Sequence, residues 1–188
     1  MKVLLLVFLV AVLLALLHFS RGSEVTSNLD SYIYDLPFKA GTSHKVVQGY
    51  GGLFSHKNKA ALDFAISEGT PVYAARGGTV YRYKDESDEG GPFVSERKAN
   101  YVIIQHGDGS FGCYWHLKQY GVVTKEGFVS KGQLIGYSGQ TGFALWPHLH
   151  FTIKRKLSCD KESFVRTRFR TTKGIELLNA GETYEKPL

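Results

Sequence analysis

The sequence predicts an all-β domain built on an antiparallel sheet that folds into a sandwich or a barrel. Several short runs alternate apolar and polar residues with a period of two, and glycine-containing turns separate them. The pair Asp108-Gly109 between two such runs is a typical hairpin signal. The predicted strands are residues 72–75, 79–83, 101–106, 111–117, 134–137 and 149–154.

The N-terminus carries an apolar segment that predicts export. Met1-Lys2 is followed by fifteen apolar residues up to Leu17, and Ser20-Arg21-Gly22 offers a small-residue cleavage site. This run is shorter than the roughly 18 residues of a membrane-spanning helix, although an uncleaved anchor is an alternative. We therefore expect a periplasmic, cell-envelope or extracellular protein, membrane-anchored if the signal stays uncleaved.

The remaining sequence is consistent with one domain of sufficient length to bury a core. The expected division is a signal peptide or anchor over residues 1–22, a leader segment over 23–45, the main domain over 46–156 and a C-terminal extension packed on it over 157–188. A polar stretch with glycine and proline, residues 84–98, predicts a long surface loop.

The chain is basic, with a formal net charge of +6. The clearest basic runs are 154–156 and 166–170, which suit an anionic cell-wall polymer or membrane surface, or are simply solvated faces. No nucleic-acid-binding motif accompanies these runs, so nucleic acid is not an expected partner.

The strongest functional signal is His148-Leu149-His150 in the last predicted strand. Residues two apart on a strand point to the same face, so both imidazoles stand side by side, about 6–7 Å apart at the backbone. This spacing lets one histidine bind a metal while its neighbour reaches a water molecule beside the metal. A lone histidine would more often be structural.

Three other residues extend this pattern. His56 and His116 are further candidate histidines, and Asp63 is an acid inside an apolar segment, where a buried carboxylate needs a partner or a cation. His56, Asp63 and one of the two clustered histidines form a three-ligand set that suits catalytic zinc. The remaining two histidines are then available for proton transfer and oxyanion stabilisation.

Eight stretches resemble Peptidase family M23, the zinc metallopeptidases of lysostaphin or LytM type. They occur in the family's order and extend from about Val46 to Ile153. They are His56 with Ala61–Phe64, Glu68–Ala75, Gly78–Val80, Asn100–His106, Tyr114–Leu117, Lys131–Gly136, Ser138–Gly142 and Pro147–Phe151. The resemblance implies an M23-type (LytM-type) peptidase domain with long groove-forming loops, of which residues 84–98 are one.

The resemblance also implies the site. His56, Asp63 and His150 would bind one Zn²⁺ per chain, and His148 and His116 would be the catalytic histidines. The family more often spaces the first two ligands as His-x3-Asp, whereas six residues separate them here, and Trp146-Pro147 replaces a more usual Gly-Pro.

Roles within that site follow in part from chemistry. His148 is the expected general base, and His116 is expected either to hydrogen-bond the developing oxyanion or to orient the water. Tyr50 is a weaker candidate that would lend its phenol to the substrate or transition state, and the alternative is a packed aromatic in a glycine-rich turn.

The expected function is a secreted zinc endopeptidase that cuts stem peptides or cross-bridges of peptidoglycan. The alternative is a non-catalytic peptidoglycan-binding or hydrolase-activator protein on the same scaffold. Which bond is cut and the oligomeric state stay open. Export also permits a Cys113–Cys159 disulfide, with two free buried thiols as the alternative.

Overall fold

The computed structural model describes residues 29–188. The predicted signal peptide, its cleavage site and the first part of the leader segment lie outside these residues. Within the described range, no helix is both long enough and apolar enough to cross a bilayer.

Strands dominate the described chain, with two single 3₁₀ turns at Glu96–Lys98 and Lys161–Ser163. The strands are β1 (Leu29–Asp35), β2 (Ser43–Gln48), β3 (Ala61–Ala65), β4 (Pro71–Tyr73), β5 (Gly78–Lys84), β6 (Gly90–Gly91), β7 (Asn100–Gln105), β8 (Phe111–Val122), β9 (Phe128–Val129), β10 (Leu134–Ser138), β11 (Gly142–Phe143), β12 (His148–Lys154), β13 (Phe164–Thr171), β14 (Gly174–Glu176) and β15 (Thr183–Glu185).

Most of these strands form one large sheet with the order β15-β2-β3-β12-β8-β7-β5-β9. Pairing along this path is antiparallel, and among the strands of residues 29–188 only β1 with β13 and β6 with β11 pair in parallel. The predicted all-β, antiparallel class is therefore confirmed. Strand β12 lies between β3 and β8 and makes pairs with both.

The position of β12 explains why one of its faces is apolar. Leu149, Phe151 and Ile153 are almost fully buried in the main core, while His148 and His150 point to the opposite face. All six predicted strands are present, with ends that shift by one or two residues except in β8, which continues five residues beyond the prediction. The other nine strands of the described chain, β1–β3, β6, β9, β11 and β13–β15, were not among the six predicted.

Strand β8 contains an irregularity that corrects one expectation. In the predicted strand over residues 111–117, strict alternation implies that Gly112, Tyr114 and His116 share one face, and for His116 this expectation is wrong. Tyr114 is fully buried in the core, whereas Trp115 and His116 both line a cavity on the opposite face. The register against β7 shifts at this point, and His116 has φ +63°, so a β-bulge turns its side chain. Such backbone strain is typical of functional sites.

Both ends of the described chain pair with the body of the domain. β13 pairs with β12 and with β1, and β15 pairs with β2. The two cysteines are not bonded: Cys113 is buried and Cys159 is exposed. The suggested disulfide is therefore absent from the structure, and the alternative of two buried thiols holds only for Cys113.

Candidate active site

Three predicted metal ligands converge on a single point. The Asp63 Oδ1 atom lies 3.1 Å from His56 Nε2 and 2.9 Å from His150 Nδ1, and those two nitrogens are 3.1 Å apart. Within residues 29–188 this is the one cluster of three such side chains that could hold a metal ion. Tetrahedral zinc with bonds of about 2.0–2.2 Å places its ligand atoms roughly 3.3 Å apart, so this triangle fits zinc closely.

The positions of the protons on these side chains also favour a cation at this point. His56 Nδ1 lies 3.0 Å from the Gly49 carbonyl oxygen, which can only accept, so Nδ1 carries the proton and Nε2 of the neutral ring carries a lone pair. That lone pair faces a carboxylate oxygen of Asp63, which is an acceptor as well. His150 Nδ1 carries at most one proton, which is shared between its contacts with His56 Nε2 and Asp63 Oδ1. A shared cation would satisfy all three acceptor atoms.

The environment of Asp63 keeps its carboxylate charged. Burial by itself would raise the pKa of Asp63, but its contacts with His150 and His56 reverse that effect and hold the pKa well below its usual range. Burial lowers the pKa of His150 more than contact with Asp63 raises it. Both shifts favour the forms that bind metal, an ionised carboxylate at Asp63 and a neutral imidazole at His150.

The loop of residues 49–60 brings His56 to the cluster despite the six intervening residues. Asp63 lies on β3, paired with His150 on β12, so these two ligands are directly opposite across the sheet. The backbone nitrogen of His56 donates to Gly52, and Lys59 donates back to the His56 carbonyl. The loop folds on itself through these bonds and returns His56 to the end of β2. The loop therefore accommodates the longer spacing, and the His56 imidazole still reaches Asp63 and His150.

Gln48, which no sequence motif singled out, supports this arrangement. Its Nε2 donates to the second carboxylate oxygen of Asp63 at 2.9 Å and to Ser55 Oγ at 2.7 Å, and its Oε1 accepts from the Ser55 backbone nitrogen. A Cβ at Gly52 would lie 2.6 Å from Gln48 Cγ, so the loop packs directly over this side chain. One amide thus positions Asp63 and the residue before His56.

The two predicted catalytic histidines lie beside the cluster. His148 Nδ1 donates to the Trp146 carbonyl oxygen at 2.9 Å, and its Nε2 lies 3.8 Å from Asp63 Oδ1. His116 Nδ1 donates to the Thr141 carbonyl oxygen at 2.7 Å, and its ring centroid is 4.6 Å from that of His148. Each neutral ring therefore carries its lone pair on Nε2.

His116 is uncharged in this environment. Burial, followed by the nearby positive charge of His148 and His150 when these are protonated, lowers the pKa of His116 to about 3. With its one proton donated to Thr141, the neutral ring is an acceptor toward the site. Of the two roles expected from the sequence, this geometry favours orienting a water over donating to an oxyanion.

Tyr50 lies elsewhere. Its hydroxyl donates to the Thr167 carbonyl oxygen at 3.0 Å and accepts from the Thr167 backbone nitrogen, and it does not line the cavity at the histidines. Burial raises the pKa of Tyr50 to about 12. The phenol therefore links the loop after β2 to β13 by hydrogen bonds, which matches the packed alternative.

The four site residues Asp63, His116, His148 and His150 open into a cavity of about 540 Å³. Its lining is mostly apolar and aromatic, and it includes both tryptophans of the chain, Trp115 and Trp146. Phe54 stacks on Phe143 with ring centroids 5.9 Å apart, so the loop that carries His56 contacts the segment before β12.

Comparison with known proteins identifies the family. Peptidase family M23 matches residues 57–162, more than half of the chain, and the match begins one residue after His56. The chain belongs to Peptidase family M23, and the resemblance drawn from its sequence motifs is confirmed.

The alignments with individual relatives cover about half of this chain. A peptidoglycan DD-endopeptidase, ShyA of Vibrio cholerae, is 41% identical over 92 residues, which cover 48% of this chain and 19% of that protein. Lysostaphin of Staphylococcus simulans is 35% identical over 91 residues, covering 48% and 17% respectively. The chain thus matches about one fifth of the length of these relatives.

The fold recurs in a solved structure. The catalytic domain of EnpA, a prophage-encoded M23 protein of Enterococcus faecalis, superposes with a TM-score of 0.50 at 21% identity, over 69% of this chain and 92% of that domain. At this identity the likeness shows the fold alone.

Proposed function

We propose that this chain is an exported zinc endopeptidase that hydrolyses peptide bonds in peptidoglycan stems or cross-bridges. The observation that carries the proposal is the triangle of His56, Asp63 and His150 ligand atoms, with two further histidines beside it and an open cavity in front. Membership of a peptidase family, and relatives named as peptidoglycan endopeptidase and lysostaphin, support the reaction and the substrate class.

His56, Asp63 and His150 would hold the metal through one nitrogen, one carboxylate oxygen and one nitrogen. Zinc bound in such a set supplies a Lewis acid that polarises a peptide carbonyl and lowers the pKa of water toward about 7. Three protein ligands leave a fourth coordination position open, as catalytic zinc sites require.

The two remaining histidines handle the proton. His148 presents the lone pair of Nε2 toward the cluster and is held in that orientation by its bond to the Trp146 carbonyl. It is the proposed general base, which takes a proton from the attacking water and delivers it to the leaving amine. His116, fixed by the Thr141 carbonyl, accepts a hydrogen bond from that water and orients it.

A non-catalytic binding or activator protein on the same scaffold is the alternative. Such a protein has no need for the proton-transfer groups, yet here all five side chains are present and their ligand and Nε2 atoms point into one site. This arrangement favours an enzyme.

Digestion of purified peptidoglycan by the full chain tests the proposal. Released peptides are identified by mass spectrometry, with and without a chelator and after zinc is restored. We expect release that the chelator abolishes and zinc restores. Cosedimentation with peptidoglycan without any released peptide would contradict the enzyme and favour the alternative.

A further inference from the structure

A row of paired residues leads across the sheet away from the metal ligands. His150 on β12 pairs with Trp115 on β8, Trp115 pairs with Tyr101 on β7, and Tyr101 pairs with Lys84 on β5. Residues that pair across strands lie on the same face of a sheet, and all four line the cavity. The row therefore runs along the cavity floor from the site to Lys84.

The middle of this row is an aromatic platform. The rings of Tyr101 and Trp115 have centroids 4.5 Å apart, and both pack on a small apolar cluster of Ile103, Phe111 and Cys113. This cluster is separate from the main core and lies on the outer face of the sheet. It holds both rings in place, so they provide a fixed surface for an extended chain.

The far end of the row is cationic. Lys84 Nζ donates to the Arg97 backbone carbonyl at 2.9 Å, which brings the ammonium next to the turn that carries the Arg97 guanidinium. Within residues 29–188, neither Lys84 nor Arg97 has a carboxylate within 4.0 Å. The neighbouring acid, Glu96, lies 3.8 Å from Lys59 instead. Two cations without a protein counterion therefore border the cavity at this end.

The distance from His150 to Lys84 indicates how long a bound peptide must be to reach the two cations. Three strand intervals of about 4.8 Å separate His150 from Lys84, which is roughly 14 Å at the backbone. An extended peptide advances about 3.4 Å per residue, so the same span corresponds to about four residues.

We propose that Lys84 and Arg97 form a carboxylate-binding subsite, and that the cavity accepts an acidic peptide with a free carboxylate about four residues from the bond to be cut. This inference rests on the proposed function and narrows its substrate. Glycine has no side-chain carboxylate, so the subsite favours a peptide that contains an acidic residue over a cross-bridge made of glycine alone.

Peptide binding to metal-free full-length chain tests the subsite without requiring turnover. The probes are two extended five-residue peptides of one sequence, one with a free terminal carboxylate and the other with a terminal amide. Binding is followed by tryptophan fluorescence, because both tryptophans of the chain line the cavity. We expect the acid to bind about tenfold more tightly at low salt, with the preference reduced as salt is added.

Matched variants locate the effect. The double variant Lys84→Gln with Arg97→Gln is expected to lose the preference for the acid, and Lys84→Arg is expected to retain it. Lys39→Gln removes one charge at an exposed residue that does not line the cavity, and is expected to bind as the unaltered chain does. Equal binding of acid and amide, no binding of either peptide, or an equal loss in the Lys39→Gln variant would overturn the subsite.

Turnover separates this inference from the function on which it rests. If the zinc-loaded chain cuts peptidoglycan but the acid and amide peptides bind equally, the subsite is wrong and the proposed enzyme activity stands. If the zinc-loaded chain does not cut peptidoglycan but still binds the acid peptide more tightly than the amide, the proposed enzyme activity is wrong and the subsite stands.

Discussion

Replacing Gln48 by leucine should weaken metal binding although Gln48 is not a ligand. The substitution keeps a side chain of similar size but removes the donor to Asp63 Oδ2, the donor to Ser55 Oγ and the acceptor for the Ser55 nitrogen. The carboxylate of Asp63 then becomes free to rotate away, and the loop before His56 loses its attachment to β2. Both effects lower the fraction of molecules in which the three ligand atoms converge.

The structure sets the size of this effect. A hydrogen bond to a charged group contributes about 1.5–3 kcal/mol, and the bond from Gln48 to the Asp63 carboxylate is of this kind. Groups that orient metal ligands typically change metal affinity by about 10–100-fold, which corresponds to roughly 1.4–2.7 kcal/mol. We expect the zinc Kd of the Gln48→Leu variant to rise within that range.

Competition titration against a chromogenic chelator at fixed pH measures the Kd. Gln105→Leu is the matched control, because Gln105 is exposed at the end of β7 and does not line the cavity. Circular dichroism checks that each variant is folded. If folded Gln48→Leu binds zinc as tightly as the control, the positioning role of Gln48 is wrong.

Three further predictions concern stability and are measured by urea unfolding of the metal-free chain. Burial lowers the pKa of His106 below its ordinary value, so below about pH 6.5 the unfolded chain binds more protons than the folded chain and the free energy of unfolding falls. The free energy of unfolding of the His106→Gln variant should therefore fall less between pH 7 and pH 5 than that of the unaltered chain. An equal fall in both proteins would contradict this. Gly142→Ala should lower the free energy of unfolding by about 2–4 kcal/mol, and Gly127→Ala by only about 1–2 kcal/mol. Both glycines have a left-handed φ, but a Cβ would lie 2.6 Å from Ala99 at Gly142 and would meet nothing at Gly127. Equal losses in the two variants would refute the close-approach argument. Tyr114→Phe should cost about 1–3 kcal/mol because it strands the buried Ala75 nitrogen that donates to the Tyr114 hydroxyl, and a neutral change would show that this nitrogen finds another partner.

Local pattern was sufficient to predict β5, β7, β8 and β12, four neighbouring strands of the sheet, and the alternation of side chains on β12. His148 and His150 face away from the core because Leu149 and Phe151 face into it, and this follows from the period of two. The family motifs then selected His56 and Asp63 as their partners, which the structure brings to the same point. The orientation of His148 and His150 was predictable because alternation is a property of a single strand.

Features that depend on irregular backbone or on distant pairing were not predictable. The left-handed φ of His116 breaks the alternation that placed this residue on the same face as Tyr114. Gln48 reaches Asp63 only because of a register shift between β2 and β3. β13 has strand-like alternation, but its partner β1 lies more than a hundred residues earlier, and no short-range signal indicates such a pair.

The most direct test of the account is zinc content measured together with peptidoglycan turnover in the His150→Ala and His148→Ala variants. The account predicts about one zinc per unaltered chain, a loss of zinc and turnover in His150→Ala, and retained zinc without turnover in His148→Ala. Zinc retained by His150→Ala, or absent from the unaltered chain in zinc-replete buffer, would contradict the metal centre. Full turnover by His148→Ala would contradict its role as the general base.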